Sequence, residues 1–218
     1  MLSRSEEDHL KAVYSLLQEG ADAFTNDVAT RLHTKPSSVT VMLKKLADKG
    51  LLKHQPYRGV RLTAKGRGLA LMLVRKHRLW ETFLVDRLGF AWDEVHEVAE
   101  QLEHISSEKL VDRLSHYLGE PAFDPHGDPI PDRDGKLPER PTLQLTDCAV
   151  GDSVRLVAVK DPSDELLHLL GGKGIGIGAR LKLVARHAFD GSFELHTAPK
   201  TTHTLSAQVA AHLLVERP

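Results

Sequence analysis

The sequence predicts a mainly α chain with α+β parts: an N-terminal helix-turn-helix with a wing, a helical middle, and a small C-terminal β-barrel. Three observations carry this reading. Apolar residues recur at helical spacing from residue 10 to about 105, interrupted at 51–63 by two short strand-like runs. A stretch rich in Pro, Gly and Asp, GEPAFDPHGDPIPDRDGKLPERPT, then reads as an extended linker at about 119–141. Beyond residue 143 the period turns strand-like, as in Val154-Arg155-Leu156-Val157-Ala158-Val159.

In chain order, Ser5-Glu6-Glu7-Asp8 fits a capping box, and Leu10, Val13, Tyr14 and Leu17 follow on one helical face up to Gly20. On this reading Asp8 is the box partner of Ser5. Asn26 can cap a short second helix holding Val28, Ala29 and Leu32. Pro36 suits the first turn of a third, which buries Val39, Met42, Leu43 and Leu46 and stops at Gly50. Its other face carries Ser37, Ser38, Thr40, Val41, Lys44 and Lys45, and the hairpin signal Pro56-Tyr57-Arg58-Gly59 follows as a wing.

Thr63 can cap a long helix over 64–88, with Gly66 and Gly68 weakening its start. Asp93 caps a further helix to about residue 105, and Ser106 or Ser107 a shorter one ending at Gly119. The glycine-rich GGKGIGIG lacks the Walker spacing and reads as barrel turns. The expected domains are 1–70, 71–141 and 142–218.

Composition narrows the function classes. With 218 residues, 41% apolar and 27% charged, the chain can bury cores. Its single cysteine, Cys148, excludes a disulfide framework and any multi-cysteine zinc module, and reads as a buried small hydrophobe. No run reaches the ~20 apolar residues of a membrane helix, and MLSRSEEDHL is too charged for a secretory signal, so a cytoplasmic location is expected. Residues 1–70 hold 12 Lys and Arg against 7 Asp and Glu, whereas residues 71–140 hold 9 against 15. The first region suits an anionic partner and the second suits cations.

Two constellations follow. Lys35, Pro36, Ser37, Ser38, Thr40, Lys44 and Lys45, with Arg58 and Arg61 on the wing, form a candidate face for double-stranded DNA. His96, Glu100, Glu103 and His104 fall at i, i+4, i+7 and i+8, and His77 and Glu81 at i, i+4 on the preceding helix. One such pair is ordinary helix surface. Six imidazoles and carboxylates on consecutive helices suit a divalent first-row metal, or the di-metal carboxylate site of a metalloenzyme.

The stretches KPSSVTVMLKKLADKGLLKHQPYRGVRLTAKG, VRKHRLWETFL, EVHEVAEQLEHISSEKLVDRL and DPHGDPIP together resemble the diphtheria toxin repressor family of metal-dependent transcriptional regulators. The resemblance implies a homodimer in which the winged helix binds operator DNA, the helical domain dimerises, and the C-terminal barrel is Src-homology-3-like and FeoA-like. It implies a primary metal site of Asp8, Glu100, Glu103 and His104, and a second of His77, Glu81 and His96. It gives Asp8 a metal role instead of the capping role, and places Lys35, Ser37, Ser38 and Thr40 in the DNA-reading segment.

Carboxylates at Asp8 and Glu100, where the iron branch has Met and Cys, resemble the manganese branch, and hard oxygen donors suit Mn²⁺. Fe²⁺, Co²⁺, Zn²⁺ and Cd²⁺ are the alternatives, with an iron-dependent regulator as the nearest rival; no organic cofactor is implied. Lys11 stands where the manganese branch has a second-site glutamate. The His96 position and the barrel resemble the iron branch, whose barrel supplies second-site ligands, for which Asp161, Asp164 and Glu165 are candidates here.

Overall fold

The computed structural model describes residues 2–197 and 201–217. Backbone contacts divide them into two compact units, with the boundary inside one long helix. The first unit runs to His77 and adds Gln101–Glu108 and Pro131–Lys136; the second holds Arg78–Glu100, Lys109–Ile130 and everything from Leu137 onward.

In the first unit, α1 (Arg4–Gln18), α2 (Thr25–Arg31) and α3 (Pro36–Asp48) pack around Leu10, Val13, Val28, Val39 and Leu46, all fully buried. The capping box of α1 is Ser3 with Glu6, two residues earlier than the sequence suggested. Both Ser-x-x-acid spacings fit the rule, and the earlier one forms, so Asp8 has no capping task. At α2 the carboxylate of Asp27 accepts from the Phe24 amide at 3.3 Å, so Asn26 is not the cap. Pro36 opens α3 as expected. Strands β1 (Leu52–Gln55) and β2 (Gly59–Leu62) pair antiparallel as the wing, with Lys53 opposite Arg61.

Helix α4 (Ala64–Leu88) has the expected limits. The hydroxyl of Thr63 accepts from the Gly66 amide at 3.0 Å and donates to the Gly50 carbonyl at 2.8 Å, so one side chain starts α4 and ties it to the end of α3. In the second unit the latter half of α4 packs on α6 (Glu108–Tyr117) through Leu79, Val111, Leu114 and Ile130. Helix α5 (Val95–Leu102) is shorter than the sequence suggested: it starts beyond Asp93 and ends before Glu103 and His104, which lie in a turn.

The stretch after α6 is no loose spacer. Asp124, His126 and Ile130 are buried, the Val159 amide donates to the His126 carbonyl at 2.9 Å, and Arg140 stacks over Phe123. The C-terminal part is a six-stranded antiparallel sheet in the order β3-β8-β4-β5-β6-β7. Its strands are β3 (Leu143–Gln144), β4 (Ser153–Val159), β5 (Arg180–Arg186), β6 (Phe193–Thr197), β7 (Thr201–Leu205) and β8 (Leu213–Glu216). They enclose a core that includes Leu156, Leu183, Phe193 and Leu195. Two helices complete it, α7 (Asp164–Gly172) and α8 (Ala207–His212). Gly171 and Gly172, read above as turn residues, instead end α7.

Gly66 and Gly68 differ in kind. A Cβ on Gly66 would lie 2.0 Å from the Leu51 carbonyl oxygen, whereas one on Gly68 meets nothing within 4 Å. Gly66→Ala therefore lowers the unfolding free energy by about 2 kcal/mol or more, because backbone must move. Gly68→Ala is neutral or stabilises by about 0.5–1 kcal/mol through helix propensity. Urea melts of the two variants check both signs.

Candidate metal centre and nucleic-acid interface

The outer face of α3 presents Lys35, Pro36, Ser37, Ser38, Thr40, Val41 and Lys44 to solvent. The Thr40 hydroxyl donates back to the Pro36 carbonyl at 3.0 Å. Val41, beside Thr40 in sequence, is 70% exposed. On the wing, Tyr57 is 96% exposed beside the exposed Arg58. Arg61 is held differently: its guanidinium pairs with Asp22 and also donates to the Arg58 carbonyl at 3.2 Å.

Lys45 faces inward. Its ammonium lies 3.2 Å from Glu6, and that of Lys49 lies 2.5 Å from the same carboxylate oxygen. Glu6 is 2% exposed, and its other oxygen accepts from the Ser3 amide at 2.8 Å. The Lys49 hydrogen bond, then that of Ser3, holds the Glu6 carboxyl down to about 2. One buried carboxylate thus closes the start of α1 and fastens it to the end of α3.

Two residues further along α1, Asp8 comes together with Glu103 and His104, one donor atom from each lying within 4.8 Å of the others. His104 Nδ1 donates to Glu7 at 2.7 Å, leaving Nε2 to face Asp8 at 3.1 Å and Glu103 at 3.9 Å. A histidine oriented by a carboxylate on one nitrogen, with the other aimed into a group of oxygens, is the arrangement metal ligands adopt. Two carboxylates and an imidazole fit a divalent first-row ion. Burial raises the Asp8 carboxyl above its ordinary range, against the pull of His104 and Lys11.

Glu103 is the most enclosed of the three at 1% exposure. Both of its oxygens accept from Lys11 Nζ, at 2.7 and 2.8 Å, and His77 Nδ1 donates to one of them at 2.6 Å. Burial pushes its carboxyl up, but His77 and Lys11 outweigh that and hold it below the ordinary value. Lys76 donates to the Glu103 carbonyl at 3.0 Å. These contacts explain why α5 stops short: Glu103 is fixed by α1 and α4 residues of its own unit.

In the second unit Glu100 faces His96 at 3.4 Å, and His96 also lies 3.4 Å from Glu81. Glu100 first, then Glu81, raises the His96 imidazolium to about 10. A group that sequence reasoning missed lies beside them. Glu81, Asp124 and His126 are all buried, with donor atoms within 4.8 Å of one another.

His126 Nε2 donates to the Trp92 carbonyl at 2.7 Å, and Nδ1 faces Glu81 and Asp124, each at 3.9 Å. Burial, then the Glu81 charge, drives the Asp124 carboxyl well above its ordinary range, even with Arg78 at 3.5 Å. Two carboxylates and an imidazole in one buried group are a donor set that suits a divalent cation. The available signal was Asp-Pro-His-Gly-Asp-Pro, ligand-type residues fixed between prolines. Asp164 and Glu165 stand at the start of α7, beside Asp93 and His168 in an open groove, with Asp93 3.0 Å from His168.

Comparison with known proteins gives this architecture a class. Residues 1–60 match the family model "Iron dependent repressor, N-terminal DNA binding domain", residues 63–132 match "Iron dependent repressor, metal binding and dimerisation domain", and residues 143–217 match "FeoA domain". The chain is 38% identical over 125 residues to the iron-dependent repressor IdeR of Mycobacterium leprae (strain TN), covering 57% of this chain and 54% of that protein. It thus spans about half the length of the curated mycobacterial relatives it matches.

Against the diphtheria toxin repressor of Corynebacterium efficiens it is 30% identical over 190 residues, 82% of each chain. A solved structure described as "Manganese-dependent transcriptional repressor complex with manganese" superposes with a TM-score of 0.86 at 38% identity, covering 98% of this chain and all of that one. ScaR with bound Cd²⁺ gives 0.79 at 33%, covering 98% of this chain and 99% of that one. The order of a winged helix, a helical middle and a FeoA-like sheet is that of the family models matched. The chain belongs to the diphtheria toxin repressor family.

Glu6→Gln tests the fastening of α1 to α3. It lowers stability by about 1–2 kcal/mol at pH 7, because a charged acceptor of three hydrogen bonds becomes neutral. With the native carboxyl at about 2, the wild-type advantage is complete above the ordinary glutamate value and is lost as pH falls towards 2. Urea melts at pH 7, 5 and 3.5 read the gap, which shrinks only at the lowest pH.

Proposed function

We propose that the chain is a divalent-metal-responsive repressor that binds operator DNA as a homodimer, with Mn²⁺ as the favoured ion. One observation carries this reading: Asp8, on the first helix of the DNA-binding head, meets Glu103 and His104 of the segment matched to the metal-binding domain. The carboxylates support Mn²⁺; Fe²⁺, Co²⁺, Zn²⁺ and Cd²⁺ suit the same donors, and relatives described with iron, manganese, cadmium and zinc keep those alternatives open. The modules we assign are 1–70 for DNA, 71–141 for metal and pairing, and 142–218 as the FeoA-like barrel.

Asp8, Glu103 and His104 would hold the ion, which would supply positive charge beside the carboxylate that Lys11 and His77 otherwise balance. Glu100, at i−3 and i−4 from Glu103 and His104, is the proposed fourth donor. Glu7 holds His104 in the tautomer that offers Nε2. Asp8 fixes α1, and Glu6, half a turn earlier, carries that constraint to α3 through Lys49 and Lys45.

Lys35, Ser37, Ser38, Thr40 and Lys44 then read the major groove while Arg58 follows the backbone. Two heads in a dimer must meet grooves ~34 Å or a multiple apart, so fixing each head sets the register. Leu88, Leu110 and Tyr117, exposed on α4 and α6, are the proposed pairing face. Family members are transcriptional repressors, which leaves no support for the metalloenzyme alternative.

We assign a second ion to Glu81, Asp124 and His126, with His96 as a neighbouring donor. The set of His77, Glu81 and His96 that the family resemblance implies shares Glu81 with it, and the burial of Asp124 and His126 favours the deeper group.

In a mobility shift with the protein's own promoter, saturating Mn²⁺ tightens DNA binding at least ~10-fold over chelator, a coupling typical of two linked sites. Asp8→Ala and His104→Ala abolish that difference, whereas equal affinity with and without Mn²⁺ contradicts the proposal. Lys44→Met weakens binding across all sequences and lowers the salt slope by about 1. Asp124→Asn with His126→Ala removes one Mn²⁺ per chain, read by elemental analysis after dialysis, and leaves the Asp8 site filled.

A further inference from the structure

We propose that Lys11 is a built-in competitor for the metal: its ammonium holds Glu103 in the ion's place and sets the concentration at which the Asp8 site fills. This rests on the reading of Asp8, Glu103 and His104 as that site. Lys11 lies one helical turn beyond Asp8 on α1, so a single helix brings both a ligand and a rival cation to the same group of side chains. The ammonium grips both Glu103 oxygens, at 2.7 and 2.8 Å. The nearer of the two is the oxygen that lies 3.9 Å from His104 Nε2, the edge across which a shared ion must bind.

Glu103 is 1% exposed and the Lys11 side chain 18%, so water screens this pair weakly. An ion entering between Asp8, Glu103 and His104 must share a buried carboxylate with a fixed positive charge or displace it. Either course costs affinity. His77, on the other oxygen at 2.6 Å, keeps Glu103 partnered when Lys11 is removed.

An ammonium has no lone pair and cannot ligate, so its effect depends on charge alone. It must weaken every divalent ion by a similar factor. Lys11 therefore sets a threshold and leaves the order of metal preference to the ligands. A lysine that only stabilised the fold would change melting behaviour and leave metal affinity where it was.

The test compares the full-length wild type with Lys11→Met, Lys11→Gln and Lys11→Arg. Each is titrated with Mn²⁺, Co²⁺ and Cd²⁺ against a fluorescent chelator, with urea melts in parallel and Asp8→Ala as the site control. The Met and Gln variants bind all three ions at least ~10-fold tighter, by similar factors, and Arg stays within about 3-fold of wild type. Folded Met or Gln variants with unchanged or weaker affinity overturn the proposal, as does a gain confined to one metal. If Asp8→Ala binds as tightly as wild type, the assignment of the site itself fails, an outcome separate from a failure of Lys11 alone.

Discussion

A carboxylate taken out of water has to be matched by positive charge, and the position of Glu103 makes that demand at the meeting point of three chain segments. At 1% exposure it draws Lys11 from α1, His77 from α4 and the turn after α5 into one cluster, with Asp8 and His104 at its edge. The cost of leaving such a group unpaired is several kcal/mol, comparable to a large share of a domain's stability. Side chains that compete to satisfy it therefore control where α1 can rest. The ammonium of Lys11 is one such group, and a divalent ion is the competitor we propose.

That constraint reaches α3, which carries the proposed DNA-reading face, through a second buried carboxylate. Glu6 lies on the same helix as Asp8, and its ties to Lys49 and Lys45 run to the end of α3, away from the exposed Ser37, Ser38 and Lys44. Fixing α1 thus bears on the recognition helix at its inner end and leaves its outer face unobstructed. This division also explains why two lysines adjacent in sequence have different surroundings. Lys44 points to solvent, whereas Lys45, about 100° round the helix, reaches Glu6.

Much of this was legible in the sequence where the cause is local. The Thr63 cap and the run to Leu88 fixed the limits of α4, and Pro36 fixed the start of α3. Asp8, Glu103 and His104 were nameable together only through the family resemblance, because no spacing rule joins residue 8 to residue 103. What the sequence reading missed has tertiary causes. The Ser5 box lost to the equally well-spaced Ser3 box, and α5 ended early because Glu103 is held by Lys11 and His77. Asp124 and His126 sit in a stretch whose prolines and glycines suggest a spacer, and only packing against β4 and Trp92 reveals them as buried. Ser163-Asp164-Glu165 was a legible helix start, but the glycines that follow drew the reading towards turns.

Crystals of the full chain grown with Mn²⁺, measured at the manganese absorption edge, test the central claim most directly. The account predicts an anomalous peak bonded by Asp8, Glu103 and His104 at about 2.2 Å, the distance usual for hard carboxylate and imidazole donors. A structure in which manganese binds elsewhere while Asp8 turns away from Glu103 and His104 would contradict it.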